Sequence, residues 1–225
     1  MSRLIPAATV VLLRHGGDGF ETLMLRKNRG QAFGGMWVFP GGKVEEGDGP
    51  PGAREEEVAR HAAVREAAEE TGVVLADVEL VPFAHWVPPE EAPKRFSTWF
   101  FVAALPDGAA EVVVDGGEIG DHVWTTPRAA LDRHGAGEIE LAPPTWITLW
   151  RLAQVESAEA VIDAARGGEV ARHFTRVVAD GDVLVTLWEP DAAYVSGDLA
   201  APGARNRLRM TGGAWTYELS GPSDR

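Results

Sequence analysis

Three glutamates stand close together in one short stretch of the chain. Glu66, Glu69 and Glu70 follow one another at the spacing i, i+3 and i+4. On an α-helix with about 100° per residue, these positions fall within an arc of roughly 100°. Carboxylates so close repel each other unless a cation lies between them, and a hard dication that prefers oxygen ligands suits such a cluster. The spacing therefore predicts a helix that binds Mg²⁺ or Mn²⁺.

The element that would carry these glutamates is a helix over residues 54–71. Gly72 follows its last turn and predicts a left-handed C-terminal cap. A stripe of small apolar residues runs beside the acidic arc, so we expect one flank to pack and the other to face a site. The stripe consists of Ala59, Ala63, Val64, Ala67 and Ala68.

Short apolar and alternating segments on both sides of this helix predict strands. The predicted strands cover residues 6–14, 21–27, 36–39, 78–86, 95–105, 111–115 and 121–125, and further helices are predicted over 127–134 and 144–155. Strands that flank one central helix, with more helices late in the chain, indicate a mixed α/β sandwich rather than a repeated βαβ array.

The C-terminal part of the chain has a different character, so we divide the sequence into a domain over residues 1–155 and an extension over 156–225. The extension predicts a helix at 158–165 and strands at 183–188, 207–210 and 214–218. Nothing in its residues indicates chemistry. Packing, formation of a homodimer and a lid over the site are three roles that stay open.

Composition limits the partners of the protein. The 225 residues are 45% hydrophobic, enough for one sizeable core, and the net charge of −13 argues against a nucleic-acid duplex or an anionic membrane as a partner. The absence of cysteine excludes disulfides and thiolate chemistry. The N-terminal residues lack a secretory pattern and no run of 18 apolar residues occurs, so we expect a cytoplasmic protein.

Two motifs together resemble the signature of the Nudix hydrolases. The first is Phe-Pro-Gly-Gly at residues 39–42, and the second is Arg-Glu-x-x-Glu-Glu-x-Gly at residues 65–72. The resemblance covers residues 6–152 and implies an α/β/α sandwich with a mixed sheet. It also implies hydrolysis of the pyrophosphate in a nucleoside diphosphate linked to another group, with Mg²⁺ or Mn²⁺ as cofactor. A non-catalytic nucleotide-binding module is the alternative from another class of function.

The resemblance assigns roles to the residues of the second motif. Glu69 and Glu70 would be the main metal ligands, with Glu66 and the backbone of Gly42 completing the set. Glu66 would also accept a proton from the attacking water. Arg65 would hold a glutamate carboxylate through a bidentate pair rather than touch the substrate.

One departure from the family pattern concerns its isolated acidic position. Residues 43–64 stand between the two motifs, nine more than the pattern has, and the extra residues are expected near residues 49–52. Counting forward from the first motif places the isolated acid at Asp48, whereas counting back from the second places it at Glu57. We expect Asp48 in a loop and Glu57 on the helix, and which of them fills the position stays open.

Residues outside the motifs are candidates for a further acid and for substrate contacts. Glu118 lies in a glycine-rich loop before the last predicted strand and is the candidate acid, with a solvated loop carboxylate as the plain alternative. Arg95 and Arg26 are candidates for binding phosphates, although each also fits an exposed charge at a strand edge. Trp99 is a candidate for stacking on a base, although large aromatic residues more often lie in the core.

Three segments also resemble the subgroup of the family that contains acyl-CoA diphosphatases. They are residues 37–42, 95–100 and 141–145, the last reading Leu-Ala-Pro-Pro-Thr. This resemblance implies CoA or an acyl-CoA as an alternative substrate.

Overall fold

The computed structural model describes residues 3–17, 19–30, 32–106, 112–114, 116–212 and 214–221. The first part of the chain forms β1 (Leu4–Gly16), β2 (Gly19–Lys27), β3 (Trp37–Val38), β4 (Gly41–Lys43), α1 (Glu55–Thr71), β5 (Val81–Val87), β6 (Arg95–Ala104) and β7 (Ile119–Thr125). The second part forms α2 (Pro127–Gly135), α3 (Pro143–Leu152), α4 (Ala158–Gly167), β8 (Ala171–Phe174), β9 (Arg176–Asp180), β10 (Val183–Leu187), β11 (Arg205–Thr211) and β12 (Ala214–Ser220).

A mixed sheet forms the centre of the molecule. Its strand order is β3-β2-β1-β6-β5-β8, with β4 paired to β1 and β7 paired to β2. Strand β1 is parallel to β6 and antiparallel to β2. The run from Val10 to Leu13 is fully buried, because this central strand is covered on both faces.

Helix α1 covers one face of this sheet, as the apolar stripe predicts. Its alanines 59, 62, 63 and 67 are buried against Ala8, Val10 and Leu12 of β1. One detail of the prediction is wrong, because Ala62 is buried and Ala68 is exposed. Gly72 ends the helix at φ 70°, in the left-handed conformation predicted for the cap.

Helices α2, α3 and α4 cover the opposite face of the sheet. Their buried side chains share one apolar cluster with Val11 and Leu13 of β1 and with Phe100 of β6. Helices on both faces of a mixed sheet confirm the predicted α/β/α sandwich. Among the described residues, no helix is both long and apolar enough to cross a bilayer.

The segment after residue 155 contributes to both sheets of the structure. Helix α4 packs on β5 and β6, and β8 adds a parallel strand beside β5. Strands β9 to β12 form a second, antiparallel sheet in the order β12-β11-β10-β9, and Trp188 and Leu208 join it to the first core. The predicted helix and strands of the extension are therefore present. The domain boundary at residue 155 and the role of the extension stay predictions.

Two segments differ from the predicted strands. Residues 112–114 are described and form no strand, and Glu111 and Asp115 of the same predicted strand lie outside the described residues. Strands β4, β8 and β9 have no counterpart in the prediction. The last two predicted strands are present as β11 and β12, which pair antiparallel.

Candidate active site

Strand β4 brings the backbone of two glycines directly against helix α1. The N–H of Gly41 donates a hydrogen bond of 2.9 Å to Glu70 Oε2. A Cβ on Gly42 would lie 2.3 Å from Glu66 Oε1, and a Cβ on Gly41 would lie 2.3 Å from the carbonyl oxygen of Ala8. A side chain at Gly41 would clash with the main chain of β1, and one at Gly42 would displace the Glu66 carboxylate, so the two glycines let α1 and β4 lie close together.

Arg65 ties the acidic face of α1 to the loop before the helix. Its Nε and one terminal nitrogen donate to the two carboxylate oxygens of Asp48 at 2.9 and 2.8 Å. The other terminal nitrogen donates to Glu66 Oε1 and to Glu69 Oε2, both at 3.0 Å. The resemblance implies a bidentate pair with a glutamate, but in the structure the bidentate partner of Arg65 is Asp48, while Glu66 and Glu69 each accept a single hydrogen bond.

The two candidates for the isolated acidic position lie in different places. Asp48 is buried in the loop that follows β4, where its carboxylate also accepts from the N–H of Glu45 at 2.7 Å. The hydrogen bonds from Arg65 hold the pKa of Asp48 below its ordinary value. Glu57 lies in the first turn of α1, about two turns before Arg65. The contact with Arg65 connects Asp48 to the site.

Lys27, at the end of β2, lies between two of the predicted site residues. Its Nζ is 2.5 Å from Glu70 Oε1 and 3.4 Å from Glu118 Oε2. The Lys27 side chain is only 11% exposed and that of Glu70 only 5%. The sequence signal for this position is the alternation of Lys27 with the buried Leu23 and Leu25, which indicates the face of β2 that packs against α1.

Burial shapes the electrostatics of these acids. Burial raises the pKa of Glu66 above its ordinary value, and the charge of Arg65 limits the rise. Burial likewise raises the pKa of Glu70, and the ammonium of Lys27 opposes that shift. Burial alone would lower the pKa of Lys27, but the charges of Glu70 and Glu118 outweigh it and raise this pKa. A nearby positive charge therefore stabilises the ionised form of the carboxylates in this site.

The donor types of this cluster fit a hard dication, since Glu66, Glu69 and Glu70 present only carboxylate oxygens from one helix. In the described part of the chain, however, no group of three or more His, Asp or Glu side chains is already arranged around a metal position. Arg65 and Lys27 engage the carboxylates instead. The residues fit the chemistry of Mg²⁺ or Mn²⁺. The metal ion would have to share these carboxylates with the positive charges of Arg65 and Lys27.

Glu118 reaches this cluster from the loop before β7. Its backbone oxygen accepts from the N–H of Asn28 at 2.8 Å, and the oxygen of Gly117 accepts from the Asn28 side chain at 2.9 Å. These two bonds fasten the loop to the end of β2. The carboxylate of Glu118 is 57% exposed beside Lys27, which leaves it accessible to a bound molecule.

The three predicted substrate residues lie in different environments. Arg26 is half exposed and lies 3.7 Å from Asp121. Arg95 is buried and donates to the carbonyl oxygen of Pro88 at 3.3 Å. Trp99 is 6% exposed and stacks on His85 with the ring centroids 4.6 Å apart, so its place in the core favours packing over base stacking. The structure brings none of these three against the acids of α1 among the contacts it describes.

A family model described as the NUDIX domain matches residues 3–143 of the chain. The fold is similar to that of a NUDIX hydrolase from Alicyclobacillus acidocaldarius, with a TM-score of 0.65 and 24% identity over 76% of this chain and 98% of that one. It is also similar to the NUDIX domain of NrtR from Shewanella oneidensis, solved in complex with ADP ribose, with a TM-score of 0.50, 17% identity and coverages of 68% and 88%.

Among curated proteins, the chain is similar to the acyl-coenzyme A diphosphatase NUDT19 of Gallus gallus. The two are 27% identical over an alignment of 161 residues that covers 63% of this chain. The matched part spans only 42% of the chicken protein.

Proposed function

The chain belongs to the Nudix hydrolase family, and we propose that it is a pyrophosphohydrolase of nucleoside diphosphate derivatives whose activity depends on Mg²⁺ or Mn²⁺ held by the acids of α1. The ligands in this proposal are Glu66, Glu69, Glu70 and the backbone oxygen of Gly42. The observation that carries it is the fit of β4 against α1, where the Glu70 carboxylate meets the Gly41 N–H at 2.9 Å and Glu66 fills the space beside Gly42.

The residues of the chain divide the work of hydrolysis. When bound, the dication offsets charge that develops on the phosphoryl oxygens and aligns the attacking water. Glu66 accepts a proton from that water as general base. Arg65 fixes the carboxylates of Glu66 and Glu69 by hydrogen bonds of 3.0 Å. Glu118 contributes a further acid from its loop.

The substrate in this proposal is a nucleoside diphosphate linked to a second group. A sharp test is a panel of ADP-ribose, NADH, CoA, an acyl-CoA, a nucleotide sugar and oxidised nucleotides, each assayed with and without EDTA. We expect hydrolysis of at least one compound, its loss in EDTA and its return with added Mg²⁺ or Mn²⁺. Hydrolysis that continues in EDTA would contradict metal dependence.

The role of the acids is tested with matched variants. Glu70→Gln removes charge but almost no volume, while Glu55→Gln makes the same change at an exposed residue in the first turn of the same helix. We expect Glu70→Gln to be nearly inactive and Glu55→Gln to behave as wild type. Equal activity of the two variants would show that the acidic face does not hold the reacting centre.

CoA or an acyl-CoA is a second candidate substrate. The observation that favours it is the similarity to the chicken acyl-coenzyme A diphosphatase, together with the resemblance of residues 95–100 and 141–145. Release of phosphopantetheine from CoA, faster than release of AMP from ADP-ribose, would support this candidate. The reverse order of rates would rule it out.

A non-catalytic nucleotide-binding module is the alternative from another class of function. All four charged residues of the second motif, Arg65, Glu66, Glu69 and Glu70, are present, which favours the enzyme. Binding of panel compounds by calorimetry without turnover would favour the module. Cytoplasmic location and a homodimer also stay predictions, which cell fractionation and light scattering test.

A further inference from the structure

Lys27 is held in a place built for a positive charge. Its ammonium lies 2.5 Å from one oxygen of Glu70, and the Gly41 N–H lies 2.9 Å from the other. Both carboxylate oxygens of this buried acid are therefore engaged by the chain itself. Glu118 approaches the same ammonium at 3.4 Å from a different element.

A β-bulge in the neighbouring strand β7 lies beside the end of β2. In the pairing with β7, Arg26 faces Asp121 but Lys27 faces Ile119, so Gly120 is an extra residue between them. A Cβ on Gly120 would lie 2.4 Å from the side-chain oxygen of Asn28, the residue that fastens the Glu118 loop. A bulge bends the strand that carries the extra residue, so this one shapes β7 and the Glu118 loop before it. The main chain at Lys27 is held by two hydrogen bonds to the segment before β3, at 3.1 and 2.9 Å.

The same carboxylate is a ligand in the proposed function, on which this inference rests. A dication bound to Glu70 would have the Lys27 ammonium within a few ångströms. Like charges so close repel each other strongly in a partly buried site. Without Lys27, in turn, Glu70 would be a buried charge that keeps, among its contacts with described residues, the hydrogen bond from the Gly41 N–H.

We propose that Lys27 is a positioning residue that holds Glu70 toward β4 and competes with the divalent ion for its carboxylate. Lys27 then sets the metal concentration that the enzyme requires. Its charge stabilises the protein when metal is scarce and weakens metal binding when metal is present. A purely structural lysine would have only the first of these two effects.

The test compares metal affinity and thermal stability in Lys27→Met, which removes the charge and keeps most of the length. Mn²⁺ binding without substrate is measured at pH 8 by electron paramagnetic resonance of the free ion, and the Tm is measured in EDTA. We expect Mn²⁺ to bind about tenfold more tightly, from the loss of one repelling unit charge. In EDTA, we expect the Tm to fall by about 5–10 °C, as for a broken buried ion pair.

Two further variants serve as controls. Lys94→Met makes the same change at an exposed residue in the loop before β6 and should alter neither quantity. Lys27→Arg keeps the charge and should retain most of the wild-type Tm and weak Mn²⁺ binding. If Lys27→Met does not fold in EDTA, the double variant Lys27→Met/Glu70→Gln, which removes both charges, should fold again. A double variant as unstable as Lys27→Met would contradict the stabilising ion pair between Lys27 and Glu70.

The outcomes separate this inference from the proposed function. Wild-type protein that binds no Mn²⁺ and hydrolyses nothing in the panel would refute the proposed function itself. Wild-type protein that binds Mn²⁺ and is active, beside a Lys27→Met variant with equal or weaker Mn²⁺ affinity, would refute only the competition by Lys27.

Discussion

Replacing Gly42 by alanine should separate catalysis from stability at the centre of the site. The added Cβ would lie 2.3–2.6 Å from the carboxylate atoms of Glu66, whereas ordinary contact begins at 3.4 Å. The carboxylate must therefore move by roughly 1 Å, and a misplacement of that size costs about 10²-fold in rate. Gly42 is not among the glycines with positive φ, and the clash is with the end of a flexible side chain, so the fold should tolerate the change.

The neighbouring glycine gives the opposite expectation. A Cβ on Gly41 would lie 2.3 Å from the Ala8 oxygen and 2.7 Å from Thr9 Cα, both backbone atoms of the central strand. Gly41→Ala should therefore lower the free energy of unfolding by about 1–3 kcal/mol or more, as overpacking does.

The assay is kcat on the best compound of the panel, beside urea unfolding of each variant. Gly135→Ala is the control, because a Cβ there meets nothing within 4 Å. We expect Gly42→Ala to lose about 10²-fold in kcat with a free energy of unfolding within about 1 kcal/mol of wild type. A Gly42→Ala enzyme with wild-type kcat would show that the position of Glu66 is not critical, and the proposed proton acceptor would be wrong.

Three other predictions concern the acids, the core and the C-terminal segment. Glu69→Gln and Glu70→Gln should each lower kcat by at least about 10²-fold while circular dichroism stays unchanged, and a smaller loss would argue against metal ligation. Burial lowers the pKa of His173 to about 3, against an ordinary 6.5, so the folded state disfavours its proton. Stability is then complete above about pH 6.5 and falls with decreasing pH, by about 2 kcal/mol at pH 5. Urea unfolding at pH 7.5 and 5 should show this loss much reduced in His173→Phe but intact in His61→Gln, which changes an exposed imidazole. Removal of residues 156–225 takes away α4 and β8, whose burial against the first sheet should contribute at least about 4 kcal/mol to stability. The Tm of the truncated protein, measured by thermal unfolding, should therefore be markedly lower than that of the full chain.

The sequence predicts α1 well, because the evidence for it is local. The alanine spacing marks the packed face and Gly72 marks the end, and neither depends on the rest of the fold. The burial of Ala62 in place of Ala68 shows the limit of this reasoning, since the direction in which the helix lies on the sheet decides which edge of the stripe is covered. Strand β4 was missed because glycines rarely form strands, yet Gly41 and Gly42 pair with Thr9 and Ala8 of β1.

Parts of the site depend on long-range contacts that no local pattern encodes. Lys27 and Glu70 are 43 residues apart in sequence, and Glu118, which lies beside the same ammonium, is 91 residues from Lys27. Asp48 and Arg65 are brought together by a loop whose extra residues obscured the family spacing. Trp99 shows a different limit of the sequence. It was a candidate for stacking on a base, but it lies within the core.

The parallel pairing of β1 with β6 has a consequence for synthesis of the protein. Leu4 to Leu13 of β1 pair with Arg95 to Ala104 of β6. More than ninety residues must therefore be synthesised after β1 begins before the strand that covers its other edge exists. Until then only the hairpin with β2 and the short β4 can shield one edge of an intensely apolar segment. Nascent chains halted on the ribosome before residue 104 should therefore be prone to aggregation and depend on chaperones. This dependence should end once β6 has emerged.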